Sequence, residues 1–179
     1  MKKIFLSGLL SFLLLFGSKS FAQVFIGFDG INGESVFKAF PESTEITGFE
    51  WGAKNSATSS GAGGAGVGKV QVSELKITKP RGSASSSLQM SVFTGKHIPK
   101  AEIRFYKSGT QGSVPYLTIT LEDVFITSWA ISAGGGEIPM ESFSLVFTKF
   151  KTEDAITGPK GTTEKLPAVG WDIKKNTAN

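Results

Sequence analysis

The sequence contains no cysteine and only one histidine among its 179 residues. Without thiols the chain cannot be stapled by disulfides, cannot use a cysteine nucleophile, and cannot build the familiar Cys/His zinc sites. Burial must hold it together. Charge of one sign is also missing. The formal balance is +4, but Lys2, Lys3 and Lys19 all lie in an N-terminal segment without acids, and the rest of the chain carries +1. The overall pI of about 9.3 is therefore no footprint of nucleic-acid binding, and the remaining charges are scattered rather than clustered. After that first segment no apolar run is long enough to span a bilayer as a helix.

The N-terminal segment has the pattern of an export signal. Lys2 and Lys3 form a positive start, Ile4 to Phe16 a short apolar run, and Ser20-Phe21-Ala22 a cleavage site with small residues at its −3 and −1 positions. Cleavage after Ala22 is expected, which removes 22 of 179 residues and leaves 157, the size of one domain. The organisation is then residues 1–22 as signal and residues 23–179 as a single domain, exported to the periplasm or beyond the cell.

That domain reads as mainly β with one helix. Val24 to Phe28 forms a strand ending at the turn Asp29-Gly30. Ile46, Phe49 and Trp51 mark a second strand, with Gly48 as a bulge or close-approach point. Val70, Val72, Leu75 and Ile77 read as one strand whose alternation slips once, suggesting a bulge. Clean alternation recurs at Ile103 and Phe105, at Leu117, Ile119 and Leu121, and at Phe143, Leu145 and Phe147. The helix is expected over Ala84 to Phe93, with Ser83 as N-cap and Gly95 as its stop. Its serines are weak helix formers, so tertiary packing must support it.

Between the second and third strands lies "NSATSSGAGGAGVGK", Asn55 to Lys69. It contains G-x-G-x-x-G (Gly61, Gly63, Gly66) and also G-x-x-x-x-G-K (Gly63, Gly68, Lys69). Both nucleotide fingerprints require a following helix, and the second needs a Ser/Thr hydroxyl after its lysine. Position 70 is Val, and the β-rich "KVQVSELKIT" follows. A dense glycine run matches such patterns easily, so the stretch is read as a long, exposed loop that orders against a partner. No cofactor is expected.

Other chemical candidates are equally bare. His97 lies near the hydroxyls of Ser83 to Ser91, but no G-x-S-x-G elbow surrounds them. Glu122 and Asp123 would point to opposite faces of a strand unless a bulge intervenes. Asp29 to Glu34 lacks the register of a calcium loop and reads as an ordinary turn. The chain is not expected to be an enzyme or to hold a metal.

Taken in order, "FDGINGES" (Phe28 to Ser35), "GFEWG" (Gly48 to Gly52), "GKVQVSELKITK" (Gly68 to Lys79), "TGKHIPKAEI" (Thr94 to Ile103), "PYLTITLEDVFITS" (Pro115 to Ser128), "PMESFSLVFTK" (Pro139 to Lys149) and "GWDIKKN" (Gly170 to Asn176) resemble the Hcp (haemolysin-coregulated protein) family, the inner-tube proteins of type VI secretion systems. The resemblance implies a compact β-barrel of antiparallel sheets with one helix against it. It also implies a homo-hexameric ring, rings stacked into a hollow tube that carries effectors, and sheath and spike proteins as partners. The glycine-rich loop would then contact the neighbouring ring, through Asn55, Ser56, Ser59, Gly61, Gly63, Gly66 and Gly68. Tube proteins of this family are assembled in the cytoplasm without a cleavable signal. The N-terminal pattern therefore leaves a second reading open, an exported ring-forming or ligand-binding relative outside any contractile tube.

Overall fold

The computed structural model describes residues 22–55, 69–107, 114–158 and 162–178. The signal segment before Ala22 and loop positions 56–68 lie outside the described residues. In chain order the elements are β1 (Gln23–Phe28), β2 (Thr44–Ile46), β3 (Gly48–Glu50), β4 (Ala53–Asn55), β5 (Val70–Val72), β6 (Leu75–Pro80), α1 (Ser85–Thr94), β7 (Ile98–Tyr106), β8 (Leu117–Ser132), β9 (Met140–Val146), β10 (Lys149–Thr157), β11 (Thr163–Lys165), β12 (Val169–Asp172) and β13 (Thr177–Ala178).

The long strand β8 organises the wall. Its first half pairs with β7 and β10, and its second half with β9, every pair antiparallel. The switch between partners falls at Asp123, which adopts φ 54, and a register shift follows between Ile126 and Ser128. From β8 one arm runs through β7 and β1 to β2; the other runs through β9 and β6 to β3. Only Thr47 separates β2 from β3, so the arms rejoin through the chain itself, and Thr47 N–H donates to the Thr78 carbonyl at 2.8 Å. The wall is barrel-like, as expected, with its seam closed covalently rather than by a ladder. β12, β13 and β11 extend it beyond β10.

Alternation fills the interior. Ile26, Ile77, Leu88, Ile103, Leu121, Phe143 and Leu145 form one buried cluster with their neighbours. The outer face of β1 and β7 is covered too. Residues 33–43 fold back over it, held by Gly33 N–H to the Glu42 carbonyl (2.6 Å) and Ser35 N–H to the Ser43 carbonyl (2.9 Å). Phe37 stacks on Phe25 with ring centres 5.1 Å apart and meets Tyr106 edge-on at 4.8 Å. Arg104 sits over the Phe40 ring at 4.1 Å and donates to the Ala39 carbonyl.

Two local expectations change. The stretch Val70 to Ile77 is not one bulged strand: β5 pairs with β4, whereas β6 joins β3 and β9 in the wall. The chain changes partner at Ser73-Glu74, and the slipped alternation marks that break. Ser83 is not the N-cap. The position is held by Ala84 in helical conformation without a side-chain cap, because the Ser83 hydroxyl is engaged with Glu34. Gly48 is paired with Thr78 in the β3–β6 ladder and is the close-approach point that the sequence offered as one reading, since a Cβ there would lie 3.1 Å from Thr78. Gly95 does stop the helix, in the left-handed conformation at φ 61.

Candidate assembly interface

Strands β4 and β5 form a two-stranded ribbon with no ladder to the main wall among the described residues. Asn55 stands opposite Val70, so the register sets the strand residues on either side of segment 56–68 close to one another at the ribbon tip. The base is clamped by Ser73, whose N–H and hydroxyl both donate to the Gly52 carbonyl (2.9 and 2.8 Å) while its Oγ accepts from Gly52 N–H at 3.1 Å. Val70 and Val72 are half-buried, whereas Ala53, Lys54 and Asn55 are exposed. Between the ribbon and the end of the barrel lies a groove of about 260 Å³ bounded by Val70, Val72, Phe150 and Trp171.

Of the loop positions singled out from sequence, Asn55 is described and exposed; Ser56, Ser59, Gly61, Gly63, Gly66 and Gly68 lie outside the described residues. The ribbon also bears on the fingerprints. The glycine run connects antiparallel strands, and Lys69 enters β5. A helix N-terminus, which supplies the positive dipole end and free N–H groups in both phosphate motifs, does not follow it.

Titratable side chains are engaged with one another. His97 Nε2 lies 3.2 Å from Asp123 Oδ1, and Thr148 Oγ1 donates to Asp123 Oδ2 at 2.7 Å. The partner of His97 is thus a carboxylate and not one of the helix serines. The hydroxyl of Thr148 and then His97 hold the Asp123 carboxyl below its ordinary range. Glu122 turns instead to Lys149, 3.1 Å away, which keeps that ammonium charged to higher pH. The adjacent carboxylates therefore serve separate partners. Asp29 and Gly30 form the expected turn, Gly30 at φ 73 and Ile31 N–H donating to the Phe28 carbonyl. Among the described residues no group of three acids or histidines could share a metal ion, and no helix is long and apolar enough to cross a membrane.

One polar cluster had no sequence signal. Glu141 and Lys79 are fully buried where β9 meets β6, beneath the start of α1. Glu141 accepts from Arg81 (2.7 Å), Trp129 Nε1 (3.1 Å), Ser85 Oγ and Lys79 (3.5 Å). Lys79 also donates to Ser85 Oγ at 2.9 Å and to the Pro80 carbonyl at 2.7 Å. Burial opposes ionisation of Glu141, but these hydrogen bonds and the two cations outweigh it and hold the carboxyl below its ordinary value. The cluster fastens the helix to the wall. Lys79, Ser85 and Glu141 are enclosed and matched to each other, which suits anchoring.

Comparison with known proteins agrees with this architecture. A family model described as "Type VI secretion system effector, Hcp" matches residues 25–153. The chain is 32% identical over 156 residues to Protein hcp1 of Pseudomonas aeruginosa, covering 86% of this chain and 96% of that protein. A solved structure of a type six secretion system protein superimposes with a TM-score of 0.81 at 25% identity, covering 88% of this chain and 99% of the other. Hcp1 from Salmonella typhimurium gives 0.72 at 26% identity over the same shares. This chain belongs to the Hcp family of type VI secretion proteins.

Proposed function

We propose that this chain is a tube component of a type VI secretion system. Copies close into a hexameric ring, rings stack into a hollow tube, and the segment from Asn55 to Gly68 makes the ring-on-ring contact. Effectors carried in the tube and the sheath and spike proteins of the machine are its partners, and its role is structural rather than catalytic. The observation that carries this reading is the β4–β5 ribbon: in a chain of this family, it shares no ladder with the barrel wall among the described residues and sets Asn55 opposite Val70, on either side of the glycine-rich segment. Support also comes from the strand edges. β2, β3 and β13 each have one ladder partner among the described residues, and edges in soluble proteins are covered or paired. A head-to-tail contact that closes covers the same edge on every copy.

A second reading is favoured by Lys2-Lys3, the apolar run and Ser20-Phe21-Ala22. It makes the protein an exported ring-forming or ligand-binding relative acting in the periplasm or outside the cell, cut after Ala22. Light scattering on concentrated protein tests the ring, since a chain that stays monomeric overturns the tube and the exported ring and leaves only the ligand-binding form. Fractionation of producing cells separates them: a full-length cytoplasmic pool that cosediments with sheath supports the tube, and a shortened periplasmic pool supports the exported ring.

A further inference from the structure

We infer that Gln23, once exposed by cleavage after Ala22, closes on itself to form an N-terminal pyroglutamyl lactam. This rests on the export reading above and adds a modification site to it. Gln23 is the first residue of β1, and Ala22 before it is exposed and outside any strand. Cleavage at that bond makes Gln23 Nα a free amine at the very start of a wall strand. In the register Gln23 faces Tyr106 of β7, while the pairing of β1 with β2 begins one residue later, at Val24 with Ile46. One flank of Gln23 is therefore without a ladder partner on β2.

Side chains on a strand alternate, so Gln23 shares the outer face with Phe25, whose partner there is Glu45. All three line an open groove of about 870 Å³ with Val36 and Phe37. The groove leaves the Gln23 amide room to turn back on its own Nα. Glu45 supplies a carboxylate on the same face that can accept the proton an α-ammonium must lose before it attacks. An α-amino group of ordinary pKa, about 7.7–8.0, is already partly neutral near pH 7.5.

The step needs no other reactant. Nα attacks the side-chain Cδ, the new Nα–Cδ bond closes a five-membered ring, and the Cδ–Nε2 bond breaks. The leaving nitrogen takes the proton released by Nα and departs as ammonia. The lactam keeps one N–H on Nα, so it can donate as an ordinary backbone amide would. It also removes a positive charge from the strand that carries Phe25, beside the Phe37 and Tyr106 rings, and leaves exopeptidases no free amine at the start of β1.

The test is intact mass and N-terminal sequencing of the exported protein. The expected mass is that of residues 23–179 less one ammonia, with sequencing blocked until a pyroglutamyl peptidase is added. A Gln23→Ala variant should give a sequenceable chain without the mass deficit. Finding residues 23–179 at full mass with a free amine overturns the lactam and leaves the export reading standing. A chain that retains residues 1–22, or starts elsewhere, overturns the cleavage reading and the lactam with it.

Discussion

Lys79 and Glu141 face each other across the β6–β9 ladder, and neither side chain has any exposed surface. Removing one member leaves a buried charge without its counter-charge, which costs about 3–5 kcal/mol, whereas replacing both with apolar side chains of similar volume can be near neutral. Glu141→Gln and Lys79→Met should each lower stability by an amount of that order. The Lys79→Met/Glu141→Leu pair should lose less than either single change, because Arg81 is partly exposed and can turn to water. Urea unfolding at one fixed protein concentration measures this. Additive losses in the double variant would show that the pair contributes through packing, not charge.

The same carboxylate sets an acid limit. Glu141 has a folded-state pKa below its ordinary value of 4.5. Glu102 does too: burial opposes its ionisation, but hydrogen bonds and charge from Arg104 and Lys100 prevail. Groups of this kind give stability that is fully present above the unfolded pKa and is lost as pH falls through the folded one. Stability should therefore be insensitive to these two groups above pH 4.5 and decline below it. Glu141→Gln should flatten that decline. A variant whose acid slope equals the parent's would remove Glu141 from the explanation.

Two glycines beside the strap over β1 should respond differently to alanine. At Gly33 an added Cβ would overlap the Ser43 carbonyl, which is backbone held in the strap's own hydrogen bonds. At Gly82 it would come within 2.5 Å of the Glu34 carboxylate, the far end of an exposed side chain. Gly33→Ala should cost more than about 2 kcal/mol and Gly82→Ala about 1 kcal/mol, the latter through loss of the Glu34 bonds to Ser83. In a Glu34→Ala background the Gly82→Ala penalty should largely vanish, as a double-mutant cycle would show. An unchanged penalty would place the strain in the backbone at Gly82.

The interior of this fold was legible because its strands alternate. Ile103, Leu121, Phe143 and Leu145 all point inward as their spacing required. The outer face was not legible: Tyr106 is out of phase with Ile103 and Phe105, which gives it the outward face of β7, yet it is buried beneath Phe37. A strap that covers a second face leaves no periodic trace in the strand below it. The helix shows the same limit. It has no acid in its first turn and no capping side chain, and carboxylates meet its N-terminal end from elsewhere, Glu34 at Ser83 and Glu141 at Ser85. Positions 34 and 141 are far apart in sequence, and nothing local joins them. The strands from Lys149 onward leave little trace for two reasons: β10 carries charges at Lys149, Lys151, Glu153 and Asp154, and β11, β12 and β13 are only 3, 4 and 2 residues long. The role proposed for the segment beyond the ribbon rests on composition, since a glycine-rich stretch with few apolar side chains has little to pack on its own barrel.

That last point gives the most direct test of assembly. The β4–β5 ribbon is joined to the wall through Gly52 and Ser73 at its base, and no ladder couples its tip to any wall strand. Deleting Ser56 to Gly66 leaves Asn55 and Val70 close enough for a short connection, because the register already sets them opposite one another. The barrel should fold unchanged, and a ring closed by wall contacts should survive. Stacking should not, if the loop is what one ring offers the next. The variant is therefore expected to remain hexameric in light scattering and to lose any larger species formed by the parent. A monomeric deletion variant with the parent's unfolding midpoint would move the loop into the ring interface. Stacks that persist unchanged would assign ring-on-ring contact to another surface.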